Sequence, residues 1–268
     1  MSEKLPILAT LSEAGRLVVQ NRGDLLRVGI VFIVGFFAVG AIVWAYLLPL
    51  MAGASVDSAG RMTLDPRLPA GFLLTAIIEF LLFAVFAVGW HRVILLGIKR
   101  AGGGLGVQLG MRELRYFGRL WLCFLGSFVI ATAFTFIEQM IGAALATNPE
   151  NFIVAAEVSY VLASAYVFGR IGLSFAGLSV DAPFNFAQSW QATRGNGFRL
   201  LAIYLLAAAG WLAVSLFFGL IAGALGLSNA APYTLVLINA LAFAGMFALL
   251  VTINAIVFRR LSGWKAPA

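Results

Sequence analysis

Six long runs of apolar residues, separated by short polar segments, dominate the chain. They cover 26–50, 70–90, 118–146, 152–175, 199–226 and 232–258. A bilayer core about 30 Å thick needs some 20 apolar residues in a helix, so each run can cross a membrane. The pattern predicts an all-α, polytopic membrane protein with six transmembrane helices in one integral membrane domain, 1–268.

Composition agrees with this pattern and excludes several classes of protein. Hydrophobic residues make up 62% of the chain and charged residues 11%, whereas soluble domains carry about 25% charged residues. A disordered chain, a collagen and a nucleic-acid-binding domain are excluded, so we expect no nucleic-acid partner.

Ala52-Gly53-Ala54 resembles a signal-peptide cleavage site, but the preceding run is too long for a signal core, and we expect an uncleaved first span.

Basic residues are distributed unevenly over the polar segments. Alternate segments, beginning with the N-terminal one, hold 16 of the 18 lysines and arginines, and only Arg61 and Arg67 fall elsewhere. Short cytoplasmic segments of membrane proteins are enriched in such residues. The distribution therefore predicts that the N and C termini are both cytoplasmic.

A short motif occurs twice, each time directly before a span. Asn21–Arg27 (NRGDLLR) returns 172 positions later as Thr193–Arg199 (TRGNGFR). Both copies predict a short helix that ends at a left-handed glycine, after which Asp24 or Asn196 caps the next helix. A looser copy at Arg112–Arg119 extends the pattern to a threefold repeat of interfacial helix and hairpin, at about 11–97, 105–180 and 184–258. Chance agreement in a biased sequence is the alternative.

The short helices are expected to be amphipathic and to lie at the cytoplasmic headgroups, where arginines meet anionic lipid. Arg170, near the inner end of the fourth span, is expected to snorkel to the same interface. The residues expected to make lipid headgroup or interfacial contacts are Arg22, Arg27, Arg170, Arg194, Arg199 and Trp190.

Three acids fall inside predicted spans, where a charge costs about 2.5–3.5 kcal/mol on insertion scales. At 1.5 Å per residue, Glu79, Glu138 and Glu157 lie about 10–13 Å below the outer boundary and define one layer. They could be protonated or hydrogen-bonded groups that hold helices together, or a proton, cation or headgroup site. Polar or small residues recur every four positions beside Glu138 and are expected to face the bundle: Ser127, Ala131, Thr135 and Gln139.

The sequence lacks the residues that several kinds of metal, catalytic and phosphate-binding sites require. Cys123 is the only cysteine, which excludes an intramolecular disulfide, a cysteine zinc cluster and an iron–sulfur site. His91 is the only histidine, so there is no HExxH motif, histidine triad or Ser-His-Asp set. The glycines at 102–106 lack the GK[ST] ending of a phosphate loop. We therefore expect no catalytic residues, no metal and no cofactor.

Four blocks carry a resemblance to a known family: VGWHRVILLG at Val88–Gly97, RELRYFGRL at Arg112–Leu120, GRIGLSFAGLSVDAP at Gly169–Pro183 and SWQATRGNGFRLL at Ser189–Leu201. In these blocks the chain resembles YciC-like six-span bacterial membrane proteins. Those are similar in turn to the membrane domain of some glycerophosphodiester phosphodiesterases, whose catalytic barrel has no counterpart here. The resemblance implies a bacterial inner-membrane protein of poorly defined role, in envelope or lipid homeostasis.

Two functions remain open on the sequence. The first is a non-enzymatic multi-pass protein that binds lipid or partner proteins through its cytoplasmic segments. The alternative is a small-solute or proton-coupled transporter that uses the carboxylate layer.

The GxxxG pair Gly219 and Gly223 could pack within the bundle or in a homo-oligomer.

Overall fold

The structure is a computed structural model that describes residues 4–53, 55–56, 62–63, 65–101, 109–145, 149–226 and 232–266. Within these residues the chain is almost entirely helical. The helices are α1 (Ile7–Gln20), α2 (Arg22–Ile42), α3 (Leu48–Ala52), α4 (Arg67–Leu96), α5 (Ile98–Ala101), α6 (Met111–Leu145), α7 (Pro149–Ile171), α8 (Leu173–Ser179), α9 (Phe186–Ala192), α10 (Gly197–Ala224) and α11 (Pro232–Leu261).

Five stretches are long and apolar enough to cross a membrane. One of them joins α2 to α3 through a π-helical turn at Val43–Leu47. Val158–Ile171 and Leu173–Ser179 meet at a bend of 40° and make a sixth crossing if the two helices form one broken span. The all-α, multi-pass architecture is therefore confirmed. The five stretches are Arg22–Ala52, Arg67–Leu96, Met111–Ile141, Gly197–Ala224 and Tyr233–Leu261.

The fourth predicted span, 152–175, is wrong as a single helix, because the chain breaks at Gly172 between α7 and α8. A Cβ atom at Gly172 would lie 2.6 Å from Asn254 Oδ1 of α11, so only glycine allows this close approach. The Ser174 hydroxyl donates to the Ile171 carbonyl at 2.7 Å, and such side-chain bonds compete with the helical ladder. α8 then continues to Ser179.

The connection between α3 and α4 contains a small antiparallel hairpin, in which Ser55 pairs with Thr63 and Val56 with Met62. Just before α4, the Asp65 carboxylate accepts hydrogen bonds from the Arg67 guanidinium at 2.9 and 2.7 Å. These bonds hold the pKa of Asp65 down at about 2. Arg67, one of the two cations that the sequence places in this connection, is thus paired.

The best-packed part of the interior lies toward the end of the bundle that holds both termini. Trp90 of α4 is completely buried there, and its indole N–H donates to Thr252 Oγ1 at 2.9 Å and to the Ala248 carbonyl at 3.1 Å. Toward the other end, large apolar side chains point outward: Phe128 is 63% exposed and Leu220 75%. A bilayer is the solvent that suits such a surface.

The two copies of the motif differ in their local structure. Before α10, Gly195 has a φ of 84°, which is the predicted left-handed helix end. Before α2, the break falls at Asn21 instead, and Gly23 lies inside the helix without a positive φ. The left-handed cap at Gly23 is therefore wrong, and Asp24 lies in the first turn of α2 and not at its cap.

The third copy is also not a separate interfacial helix. Arg112–Arg119 forms the first turns of α6, which runs without a break for 35 residues. The span and its basic segment are one helix because Gly118, at their junction, stays helical and no proline separates them. The threefold repeat stays a prediction.

Candidate functional site at the basic end of the bundle

The end of the bundle that carries both termini is called the basic end here. It contains α1, the start of α2, α6 and α10, and the C-terminal ends of α4, α8 and α11. Glu13 of α1 forms ion pairs with Arg259, at 3.0 Å, and with Arg260 of α11. The Leu5 N–H donates to Asn196 Oδ1 at 2.9 Å, and the Leu5 carbonyl accepts from Arg199 at 2.8 Å. These contacts fix the N-terminal segment to two membrane helices.

Arg170, in the last turn of α7, joins that helix to the short helix α9. Its side chain is only 7% exposed and donates to Thr193 Oγ1 at 2.7 Å, to the Trp190 carbonyl at 2.6 Å and to the Tyr166 hydroxyl at 3.1 Å. The guanidinium also lies 4.2 Å from the centre of the Trp190 ring. Arg170 therefore does not snorkel: its hydrogen bonds are used inside the protein, where they hold α9 in place.

A second cluster joins α4 and α6 to the segment after α8. Arg112 binds the Asp181 carboxylate with two hydrogen bonds, at 3.0 and 2.6 Å, and Arg92 approaches the same carboxylate at 3.8 Å. Arg119 donates to the Ser174 carbonyl at 2.6 Å and lies 5.7 Å from the centre of the Phe186 ring. These arginines hold α8 and the segment after it against α4 and α6.

Other cations of the basic end point outward. Arg22, Arg27 and Arg194 are exposed, and the Arg27 guanidinium comes no closer than 4.0 Å to Asp24 in its loose ion pair. Exposed apolar side chains stand beside them: Leu26 is 60% exposed, Trp190 42% and Phe198 79%. The predicted interfacial residues thus divide into an exposed group, Arg22, Arg27, Arg194 and Trp190, and a group engaged in the protein, Arg170 and Arg199.

The three intramembrane acids are not seen to meet. Glu79 and Glu138 are half-buried, and neither has a hydrogen bond or ion pair with a described residue. The Glu157 side chain lies outside what the structure describes. No helix-holding contact of Glu79 or Glu138 is therefore present among the described residues, and the carboxylate layer stays a prediction.

The polar stripe on α6 does not face the bundle along its whole length. Ser127 and Ala131 are half-buried, but Thr135 and Gln139 are exposed and line a shallow cavity on the outer surface. The prediction is therefore wrong for Thr135 and Gln139. Thr135 needs no partner on another helix, because its hydroxyl donates to the Ala131 carbonyl of its own helix at 3.0 Å.

His91 lies in the interior of the basic end and is completely buried. Its Nδ1 atom is 2.9 Å from the Ala87 carbonyl oxygen, while Nε2 has no hydrogen-bond partner among the described residues. Those residues contain no group of three or more His, Cys, Asp or Glu side chains that could hold a metal ion. Besides His91, the buried polar side chains of this end include Arg170, Ser189 and Thr193.

No family model, curated protein or solved structure matches this chain. The resemblance to YciC-like proteins accordingly stays a prediction. The fold itself defines the class: a multi-pass membrane protein with five or six crossings. At its basic end, buried or half-buried arginines hold the short helices, and exposed arginines lie among exposed apolar side chains.

Proposed function

We propose that this chain is a non-enzymatic multi-pass protein of the bacterial inner membrane whose basic end binds the headgroups of anionic lipids, in membrane or envelope homeostasis. One observation carries the proposal: exposed arginines and exposed apolar side chains alternate at the same end of the bundle. Leu26 lies between Arg22 and Arg27 in sequence, and Arg194 lies between Trp190 and Phe198. A surface at the headgroup level needs both kinds of group.

The two kinds of group have separate tasks. Apolar side chains enter the boundary between headgroups and acyl chains, and guanidinium groups donate charge-assisted hydrogen bonds to phosphate. A soluble polyanion would use the arginines but would leave Leu26 and Phe198 in water. A lipid surface satisfies all of them at once, which favours lipid as the ligand.

The buried Arg170 and the half-buried Arg119 support this use of the exposed arginines. Arg170 and Arg119 direct their hydrogen bonds to backbone carbonyls of the segments around α8 and α9. Those segments are thereby fixed at the membrane surface before lipid binds, so little ordering entropy opposes binding. The exposed Trp190 ring packs against the Arg170 guanidinium, and the exposed Phe198 ring lies 5.6 Å from the Tyr166 ring.

The test compares two pairs of arginines at opposite ends of the chain's spans. Arg22→Gln/Arg27→Gln should weaken binding of phosphatidylglycerol to the detergent-solubilised protein by about ten- to thirtyfold, since each cation near an anionic surface contributes about 1 kcal/mol. The control Arg61→Gln/Arg67→Gln removes the same charge from the other side. Native mass spectrometry during lipid titration measures both, with phosphatidylcholine as the uncharged competitor.

Equal weakening by the two pairs would show a general effect of net charge and would contradict the proposal. So would a parent protein that binds phosphatidylcholine as tightly as phosphatidylglycerol.

A further inference from the structure

A groove runs along the lipid-facing side of α6 and α7 and ends against α9. Its volume is about 220 Å³, and its lining is mostly apolar. Phe186 of α9 closes it toward the basic end, and Gly126 of α6 forms part of its floor. A Cβ atom at Gly126 would have no neighbour within 4 Å, so the groove is open above this residue.

A second cavity, of about 290 Å³, lies at the start of α6, and charged side chains line it. Its two acids are engaged: Asp181 binds Arg112, and the Glu113 carboxylate accepts the Gly110 N–H at 2.9 Å. Arg115 also lines this cavity, is exposed, and has no ion pair with a described residue. The cavity therefore has a cation to offer to an anion from outside.

The charged cavity and the apolar groove lie on one face of α6. Arg115, Arg119, Leu122 and Gly126 have the spacing i, i+4, i+7 and i+11, which repeats on the same side of an α-helix. Arg115 and Leu122 are about 10 Å apart along the helix axis. Between them, Arg119 uses one nitrogen for the Ser174 and Phe184 carbonyls, and its other nitrogens have no bond to a described residue.

We propose that this face of α6 is a binding site for one anionic phospholipid of the cytoplasmic leaflet. The phosphate lies against Arg115 and Arg119, and one acyl chain lies in the groove above Gly126. Lipid is the occupant because the groove opens onto the surface that faces the bilayer, and because the cations at its end match an anionic headgroup. The inference rests on the proposed function, which it deepens by adding a site distinct from Arg22 and Arg27.

The test fills the groove without disturbing the protein. Gly126→Leu adds a side chain where no protein atom stands, while Gly210→Leu makes the same change at an exposed, open position of α10. The parent and both variants are placed in bilayer nanodiscs with a phosphatidylglycerol that carries a photoreactive diazirine in one acyl chain. After irradiation, mass spectrometry of the peptides locates the labelled residues.

We expect the parent to be labelled mainly in 122–130 of α6 and 164–171 of α7. Gly126→Leu should lower labelling of 164–171 at least fivefold, and Gly210→Leu should leave it unchanged. Arg115→Gln, an exposed substitution, should lower the ratio of phosphatidylglycerol to phosphatidylcholine labelling severalfold at the same peptides. Because Arg115 lies outside the groove, this variant keeps the proposal testable even if Gly126→Leu folds poorly.

Two results would overturn the site. One is unchanged labelling in a Gly126→Leu protein that unfolds at the parent's temperature. The other is an unchanged lipid preference in Arg115→Gln. If either result occurs while Arg22→Gln/Arg27→Gln still weakens phosphatidylglycerol binding, the lipid-binding site on α6 is wrong and the proposed function still holds. If the parent shows no preference for phosphatidylglycerol by either method, both fail.

Discussion

Replacing Arg170 with methionine is expected to lower the free energy of unfolding by about 3 kcal/mol, the largest effect expected of a single substitution at the basic end. Methionine fills similar space but donates no hydrogen bond. The Trp190 carbonyl, 2.6 Å from the guanidinium, and the Tyr166 hydroxyl would each lose a charged donor. Bonds to charged groups contribute about 1.5–3 kcal/mol each, so the loss should exceed that of an ordinary helix contact.

Reversible unfolding of the detergent-solubilised protein, driven by a rising fraction of denaturing detergent, measures this change. Arg170→Lys should lose roughly half as much, because an ammonium cannot reproduce the planar fork of donors. The control is Arg22→Met, an exposed position where a change within about 0.5 kcal/mol is expected. Similar losses for Arg170→Met and Arg22→Met would contradict the structural role of Arg170.

Gly172→Ala is expected to destabilise the protein by about 2 kcal/mol, although it adds only one methyl group. The backbone at Gly172 is right-handed helical, so alanine can adopt its φ and ψ. The cost comes from the added Cβ, which would lie 2.6 Å from Asn254 Oδ1. Asn254 cannot easily move away, because the Tyr204 hydroxyl donates to the same oxygen.

A double-mutant cycle separates this clash from a general effect on helices. In an Asn254→Ala background the cost of Gly172→Ala should fall to less than half, since the nearest opposing oxygen is gone and only the Phe168 carbonyl oxygen, 3.0 Å from the added Cβ, remains close. Gly118→Ala in α6 is the matched control, because a Cβ atom there meets nothing within 4 Å. It should be neutral or stabilise the helix by about 0.5–1 kcal/mol. A cost of Gly172→Ala that is unchanged without Asn254 would contradict the contact.

The crossings could be predicted from the sequence because each depends on a local run of apolar residues, as in the 30 residues of α4. The close approach at Gly172 could not, since it involves Asn254, more than 80 positions later in the chain. Gly23 and Gly195 are a second case in which the local sequence does not determine the structure. The two share a motif, but only Gly195 takes up a left-handed φ, because it lies in the turn between α9 and α10, whereas Gly23 lies in the first turn of α2.

The candidate site was predicted in part. The exposed arginines Arg22, Arg27 and Arg194 could be expected from the charge pattern, which indicates the segments that lie at one end. The roles of Arg119 and Asp181 depend on partners from other helices, and nothing in their own neighbourhood indicates them. For Arg170 a signal was available: Tyr166 lies one helical turn before it, and an aromatic residue at that spacing can receive a guanidinium.

The orientation of the basic end is the most direct test of its proposed place at the cytoplasmic headgroups, because that place requires this end to face the cytoplasm. Fluorescent-protein and alkaline-phosphatase reporters can be fused after Lys265 and inserted within 57–69. We expect fluorescence without phosphatase activity for the fusion after Lys265, and phosphatase activity without fluorescence for the insertion. Reporters that lie on the same side of the membrane would contradict the predicted six crossings, and the reverse orientation would contradict a cytoplasmic basic end.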